Sequence, residues 1–184
     1  MSDSIVSPGL KKILTNRSVI PGLAIILLAI VLACLAYWIA PDCSPDANRM
    51  IVEIGGRKPG FSQQFFVRPK DHPVTPNNWI KRTLYGQPDS FQYIPVSGYS
   101  VIGDQLVIRK YIDEGINESQ AIPLSEVQGP VTKNFISQTF LLGTDRYGRD
   151  ILSRLIVGVR VSLMVGSIAM LLSLTIGLFL GALA

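Results

Sequence analysis

The sequence predicts an α-helical membrane protein in which two transmembrane helices flank a β-rich extracytoplasmic insert. Three observations carry this expectation. Val19–Ala40 and Val161–Ala184 contain no charged residue, and each is long enough as a helix to cross a bilayer core of ~30 Å. The 120 residues between them have the composition of a soluble protein, with short β-branched runs set between turn residues. From Leu142 onward a polar turn, an Arg-bearing amphipathic segment and an apolar run follow one another to the last residue. The elements are expected at 1–18 (a cytoplasmic head), 19–40 (the first span), 41–141 (the insert), 142–160 (a GTDxxGRD motif with its helix) and 161–184 (the second span).

The head carries Lys11, Lys12 and Arg17 against Asp3, and its Lys11-Lys12-Ile13-Leu14 run could lie on a membrane surface. The first span has Pro21 in its opening turn, where a missing N–H does no harm, and Tyr37 and Trp38 near its far end, where aromatic rings favour the interface. Cations precede this span and Asp42 and Asp46 follow it, which places the N-terminus in the cytoplasm and residues 41–160 outside it. A cleaved signal peptide has a shorter apolar core of roughly 7–15 residues. Val31-Leu32-Ala33-Cys34 loosely resembles a lipobox, but the sequence stays apolar after the cysteine. Cys34 and Cys43, roughly 13 Å apart along a continuous helix, are too distant for a disulfide.

Within the insert, Met50–Ile54 and Phe65–Val67 read as strands. Trp79–Gly86 reads as a short helix closed by its glycine. Tyr99–Ile112 reads as a hairpin around Gly103-Asp104, with Gly at the first central position of the turn. Pro123 and Gly129-Pro130 punctuate the return toward the membrane.

Composition excludes several function classes. Fourteen cations against twelve anions in 41–160, without basic runs interleaved with aromatics, give no support to a nucleic-acid partner. His72, the single histidine, lies in an Asp-His-Pro loop. No Cys or carboxylate cluster has metal-ligand spacing, no P-loop pattern is present, and no catalytic constellation is found. No cofactor, metal site or enzymatic activity is expected.

In the motif, Thr144 or Asp145 is expected to cap a helix. Arg146, Asp150 and Arg154, at i, i+4 and i+8, are expected to stack and pair on one helical face. Leu152, Leu155, Ile156, Val159 and Leu163 form an apolar stripe, and Gly148 and Gly158 permit close approach or a bend. An unbroken helix from Asp150 to Ala184 would be about 52 Å long, so its Arg-bearing half must lie outside the hydrocarbon core or against another protein helix. Ser173, Gly177 and Gly181 repeat at four-residue spacing, as do Ser162 and Gly166. Small residues so spaced let helices pack backbone to backbone in lipid.

The pattern Gly143-Thr144-Asp145-x-x-Gly148-Arg149-Asp150-x-x-Ser153-Arg154-x-x-x-Gly158-x-Arg160-x-Ser162-Leu163-x-x-Gly166 resembles the signature before the second transmembrane helix of dipeptide/oligopeptide-type ABC importer permeases. Asn16-Arg17 followed by an apolar helix ending in Ile39-Ala40-Pro41 is similar to the first helix of that family's C-type subunit. The resemblance implies an inner-membrane permease subunit with a helical fold of normally about six spans, carrying peptides or related solutes. It implies as partners a second permease, cytoplasmic ATPases, a periplasmic substrate-binding protein and membrane lipid. Two spans and a long insert then imply a truncated ABC-importer transmembrane domain, the N-terminal portion only. The alternative is a membrane-anchored extracytoplasmic interaction module with no transport of its own.

Overall fold

The computed structural model describes residue 17 and residues 19–70, 74–127 and 129–183. The expected head, apart from Arg17, lies outside the described residues, as does His72. The described residues divide into two compact units, those within 17–35 together with 158–183, and those within 36–157.

The first unit holds most of two apolar helices. Helix α1, Val19–Ile39, is built from Leu, Ile, Val and Ala with no charge. At 21 residues it is about 31 Å long. The last long helix (α3 below), Ile151–Leu183, runs through Gly158 without a break for 33 residues, about 50 Å. Both are long and apolar enough to cross a membrane.

The second unit is a five-stranded antiparallel sheet with its connections. The strands are β1 (Phe61–Pro69), β2 (Phe91–Ile102), β3 (Gln105–Asp113), β4 (Ile116–Pro123) and β5 (Phe135–Phe140), in the order β4-β3-β2-β1-β5. A short helix α2, Trp79–Tyr85, interrupts the connection from β1 to β2, and α3 follows β5. Alternation along the strands separates two cores. Phe66, Ile94, Val96, Leu106, Ile108 and Ile122 lie in one, and Ile51, Ile54, Phe65 and Phe140 in the other. Neighbouring residues Phe65 and Phe66 are both almost fully buried because they point into different cores. The expected hairpin turn is present: Gly103 has φ +58° while Asp104 keeps a negative φ, the pattern of a type II′ turn.

This architecture corrects the expected fold class. Of the described residues 46% are helical, and the larger unit is an antiparallel sheet. Among the described residues there are two apolar helices, and the helical transmembrane-domain fold of about six spans is not what they form. The physical reason is period-two patterning over 61–140, which buries residues on both faces of a sheet and cannot build a helical span. A second correction concerns Met50–Ile54. Val52–Ile54 is a turn of 3₁₀ helix, not a strand. Its Ile51 and Ile54 cap the Phe65 core rather than pairing in the sheet.

Strand β5 does not continue the β1–β4 meander. It returns to pair with β1, Phe61 opposite Phe140. The Gly60 N–H bonds to the Phe140 carbonyl at 2.9 Å. That pairing delivers the start of the motif beside residues 51–60.

Candidate functional site

The GTDxxGRD motif forms a closed loop between β5 and α3, bracketed by a single bridge between Thr144 and Asp150. The loop is tight because Asp145 organises it. Its Oδ1 accepts from the Tyr147 N–H at 2.9 Å and the Arg149 N–H at 3.0 Å. Its Oδ2 accepts from Arg149 Nε and from Arg154 Nη1, both at 2.8 Å. The Gly148 N–H closes a turn on the Asp145 carbonyl, and the Asp145 N–H bonds to the Arg149 carbonyl. Burial pushes the Asp145 carboxyl up. The Arg149 side chain and the N–H groups of Arg149 and Tyr147 outweigh it and hold the group below its ordinary value.

Two glycines let this loop lie against the chain that leaves α1. Gly143 and Gly148 have φ +76° and +72°. A Cβ on Gly148 would overlap the Ile51 carbonyl oxygen, and one on Gly143 the Arg57 carbonyl oxygen. Thr144 fastens the contact. Its N–H donates to the Arg57 carbonyl, its hydroxyl donates to the Ile54 carbonyl, and the Arg57 N–H donates back to Thr144 Oγ1 at 2.9 Å. The Gly56 N–H bonds to the Asp145 carbonyl at 2.8 Å, and Arg149 reaches Asn48 Oδ1 at 2.9 Å.

Asp150 is the residue that caps α3. Its Oδ2 accepts from the Ser153 N–H at 3.1 Å and from the Ser153 hydroxyl. Ser153 Oγ in turn accepts from the Asp42 N–H at 2.9 Å, just past the end of α1. Asp42, Asp150 and Ser153 are all buried. The Asp42 carboxylate is satisfied by the N–H groups of Ser44 and Arg49 and by the Arg49 guanidinium. Arg49 also pairs with Asp89 at 2.7 Å and stacks over the Tyr93 ring. Burial lowers its pKa, but Asp42, Tyr93 and Asp89 together raise it, so Arg49 stays a cation. Beside these groups Ala36, Tyr37, Ala47 and Val157 form a small core joining the last turn of α1 to the second turn of α3.

Two expectations within the motif change. Arg146, Asp150 and Arg154 do not share a helical face, because α3 starts at Ile151 and Arg146 precedes it. Arg154 pairs with Asp145 at 2.8 Å, and Asp150, rather than Thr144 or Asp145, is the cap. The buried face at the base of α3 is Ser153 and Val157 with Ile156 beside them, whereas Leu155 of the expected stripe is exposed. This face is inward because Ser153 bonds the Asp42 N–H and Val157 packs with Ala36, Tyr37 and Ala47. Gly158 and Arg160 continue α3 beyond the loop. Ser162, Gly166, Ser173, Gly177 and Gly181 lie further along it and are exposed. Nothing lies within 4 Å of where a Cβ would stand on Gly166, Gly177 or Gly181.

The motif is packed rather than hollow. A void of about 10 Å³ among Asp42, Arg49, Gly148 and Asp150 has room for at most about one water. A wider cleft of about 940 Å³ opens nearby, between Ser44–Glu53 and Lys70, Asp89 and Phe91–Tyr93. Of the charged residues lining it, Arg49 pairs with Asp89 and Glu53 with Lys110, and Lys70 stands at its edge. Among the described residues no group of His, Cys, Asp or Glu is arranged to hold a metal ion. The residues that sequence reasoning missed are Asp42, Arg49, Asn48 and Arg57. Gly55-Gly56 was their one local signal, since a Cβ on Gly55 would stand 2.7 Å from the Arg146 carbonyl oxygen.

No protein-family model matches the chain, and no solved structure matches it. Two curated proteins match a short stretch. Over 45 residues the chain is 58% identical to the di/tripeptide transport system permease protein DppC of Pseudomonas aeruginosa, covering 24% of this chain and 15% of that protein. Over 42 residues it is 57% identical to the dipeptide transport system permease protein DppC of Haemophilus influenzae, covering 23% and 14%. The matched stretch thus spans about one seventh of each relative. A short segment of the chain is similar to peptide permeases, which are not enzymes.

Proposed function

We propose that this chain contributes to an inner-membrane permease for peptide-type solutes, forming part of the translocation pathway of an ATP-driven importer and catalysing no reaction itself. The observation that carries this reading is the 58% identity over 45 residues to a di/tripeptide permease protein. In this reading α1 and α3 cross the bilayer, the N-terminus is cytoplasmic, and residues 41–160 are extracytoplasmic. Arg17 before α1, with Lys11 and Lys12, and Asp42 and Asp46 after it support that orientation.

The motif then acts as a joint. Gly143, Thr144, Asp145, Gly148, Arg149, Asp150, Ser153 and Arg154 fix the start of α3 against the exit of α1. Gly158 and Arg160 carry the helix on toward the membrane. Ser162, Gly166, Ser173, Gly177 and Gly181 offer small surfaces to helices of a second permease subunit. Cytoplasmic ATPases and a periplasmic substrate-binding protein complete the assembly, the latter on the side of the sheet.

Capture of the tagged chain from gently solubilised membranes tests this. The expected result is a second permease protein and an ATPase in the captured material, lost when Gly177 and Gly181 are both replaced by Leu. A chain recovered without either, and unaffected by those substitutions, would favour an anchored interaction module instead.

A further inference from the structure

Helix α2 leaves its large apolar side chains outward. Arg82 and Thr83 are its partly covered residues, while Trp79, Ile80, Leu84 and Tyr85 are exposed, Trp79 and Tyr85 by two thirds. On a helical wheel Trp79, Thr83, Ile80 and Leu84 follow one another over an arc of about 140°, Thr83 near one edge turned inward and Ile80 and Leu84 toward the other edge exposed. A surface helix in water turns its large apolar residues toward its own core. Here Ile80 and Leu84 point away.

The helix is not loosely attached. Asn78 caps it, accepting from the Trp79 N–H at 2.7 Å. Gly86 ends it at φ +77°, where a Cβ would stand 2.8 Å from the Cys43 carbonyl oxygen and 2.9 Å from the Tyr37 ring. The Gln87 N–H donates to the Cys43 carbonyl at 2.7 Å. Trp38 Nε1 donates to Thr83 Oγ1 at 3.1 Å, and the Arg82 guanidinium stacks 4.1 Å over the Trp38 ring. Each of these tertiary partners lies in the last turn of α1 or just past it. Arg82 and Thr83 thus hold the helix beside the apolar helix end, and Ile80, Leu84 and Tyr85 are left outward with Lys81 among them.

We infer that α2 is an interfacial anchor, lying in the headgroup–acyl boundary of the phospholipid bilayer that α1 crosses. This rests on the membrane-spanning reading of α1. The depth follows from Trp38. An aromatic residue in the last turn of a span sits at the interface, and a helix bonded to its indole sits at the same level. The chemistry fits as well. Trp79 and Tyr85 have apolar bodies with polar tips, suited to that zone. Lys81 and Arg82 give α2 two cations and no anion, matching phosphate headgroups. Ile39, next to Trp38 in the chain, is exposed as well and adds apolar surface at the same level.

The test uses the full chain in vesicles of phosphatidylcholine and phosphatidylglycerol. In a Cys34→Ala, Cys43→Ala background, Ile80→Cys and Leu84→Cys are labelled separately with an environment-sensitive fluorophore, and Ile26→Cys in mid-α1 serves as the depth reference. The expected result is blue-shifted emission at 80 and 84, lost to a quencher on shallow lipid positions and resistant to aqueous iodide. Position 26 is expected to lose emission to a deep lipid quencher. If 26 reports deep lipid while 80 and 84 are quenched by iodide alone, the anchor is refuted, α1 still spans, and the α2 face is left to a protein partner. If 26 itself reports water, the spanning reading fails and the anchor fails with it.

Discussion

Replacing Asp145 with Asn removes one negative charge and changes almost no volume. The new side chain can keep its oxygen toward the N–H groups of Tyr147 and Arg149. Its amide nitrogen then faces the Arg149 and Arg154 guanidiniums, which stand 2.7 and 2.8 Å from Asp145 Oδ2. A hydrogen bond to a charged group contributes about 1.5–3 kcal/mol. Arg154 is 44% exposed, so its pair adds at most ~0.5 kcal/mol. The expected loss is therefore about 2–3 kcal/mol. For a unit of this size that lowers the melting temperature by roughly 8–12 °C. Thermal unfolding of the full chain in detergent, followed by the β-sheet circular dichroism signal at neutral pH, reads it. The pH dependence has a definite sign. The folded Asp145 carboxyl titrates below its ordinary value of 3.8. Its stabilisation is thus fully present above that value and is lost as pH falls through the folded one. Wild type and Asp145→Asn should differ at neutral pH and converge in acid. A difference of less than ~2 °C at neutral pH, or one that persists unchanged in acid, would refute the ion-paired loop.

The glycines provide a matched pair. Gly148→Ala combines φ +72° with overlap on the Ile51 carbonyl, whereas Gly56→Ala has φ +69° and open space. The second should cost about 1–2 kcal/mol in the same melt, and the first clearly more. Ser153→Ala leaves the buried Asp42 N–H without its acceptor and takes one of two donors, the hydroxyl, from Asp150, which keeps the backbone N–H of residue 153. A loss of about 1–3 kcal/mol is expected, with easier proteolysis in the segment that leaves α1. Phe65→Ala empties the centre of the smaller core and should cost about 3–5 kcal/mol, read by chemical unfolding.

Much of this arrangement was legible because it is local. The two uncharged runs define α1 and α3, Gly86 ends α2, and the Gly103-Asp104 pair turns the hairpin. The class was misread because the motif's resemblance weighed toward a helical architecture, while the sheet's long-range pairing leaves only weak signals in short strands. The β1–β5 pairing joins residues far apart in the chain, Phe61 with Phe140, and no periodicity announces it. The same distance hid the site. The i, i+4 spacing of Arg146, Asp150 and Arg154 is meaningful only on a helix, and the helix begins after Asp150. Asp42 was read for its charge near a span. Its backbone N–H and carboxylate instead join Ser153 and Arg49 in a buried network. Gly143 and Gly148 matter through carbonyl oxygens at Arg57 and Ile51, partners that only the folded chain supplies.

The most direct measurement for the central claim is uptake of a labelled dipeptide by cells with and without this chain, the remaining transport genes being intact. Uptake that falls on removal, returns with the wild-type chain, and returns only partly with Gly148→Ala is the predicted result. Uptake indifferent to the chain, in cells where it is demonstrably present in the membrane, would contradict a role in peptide permeation.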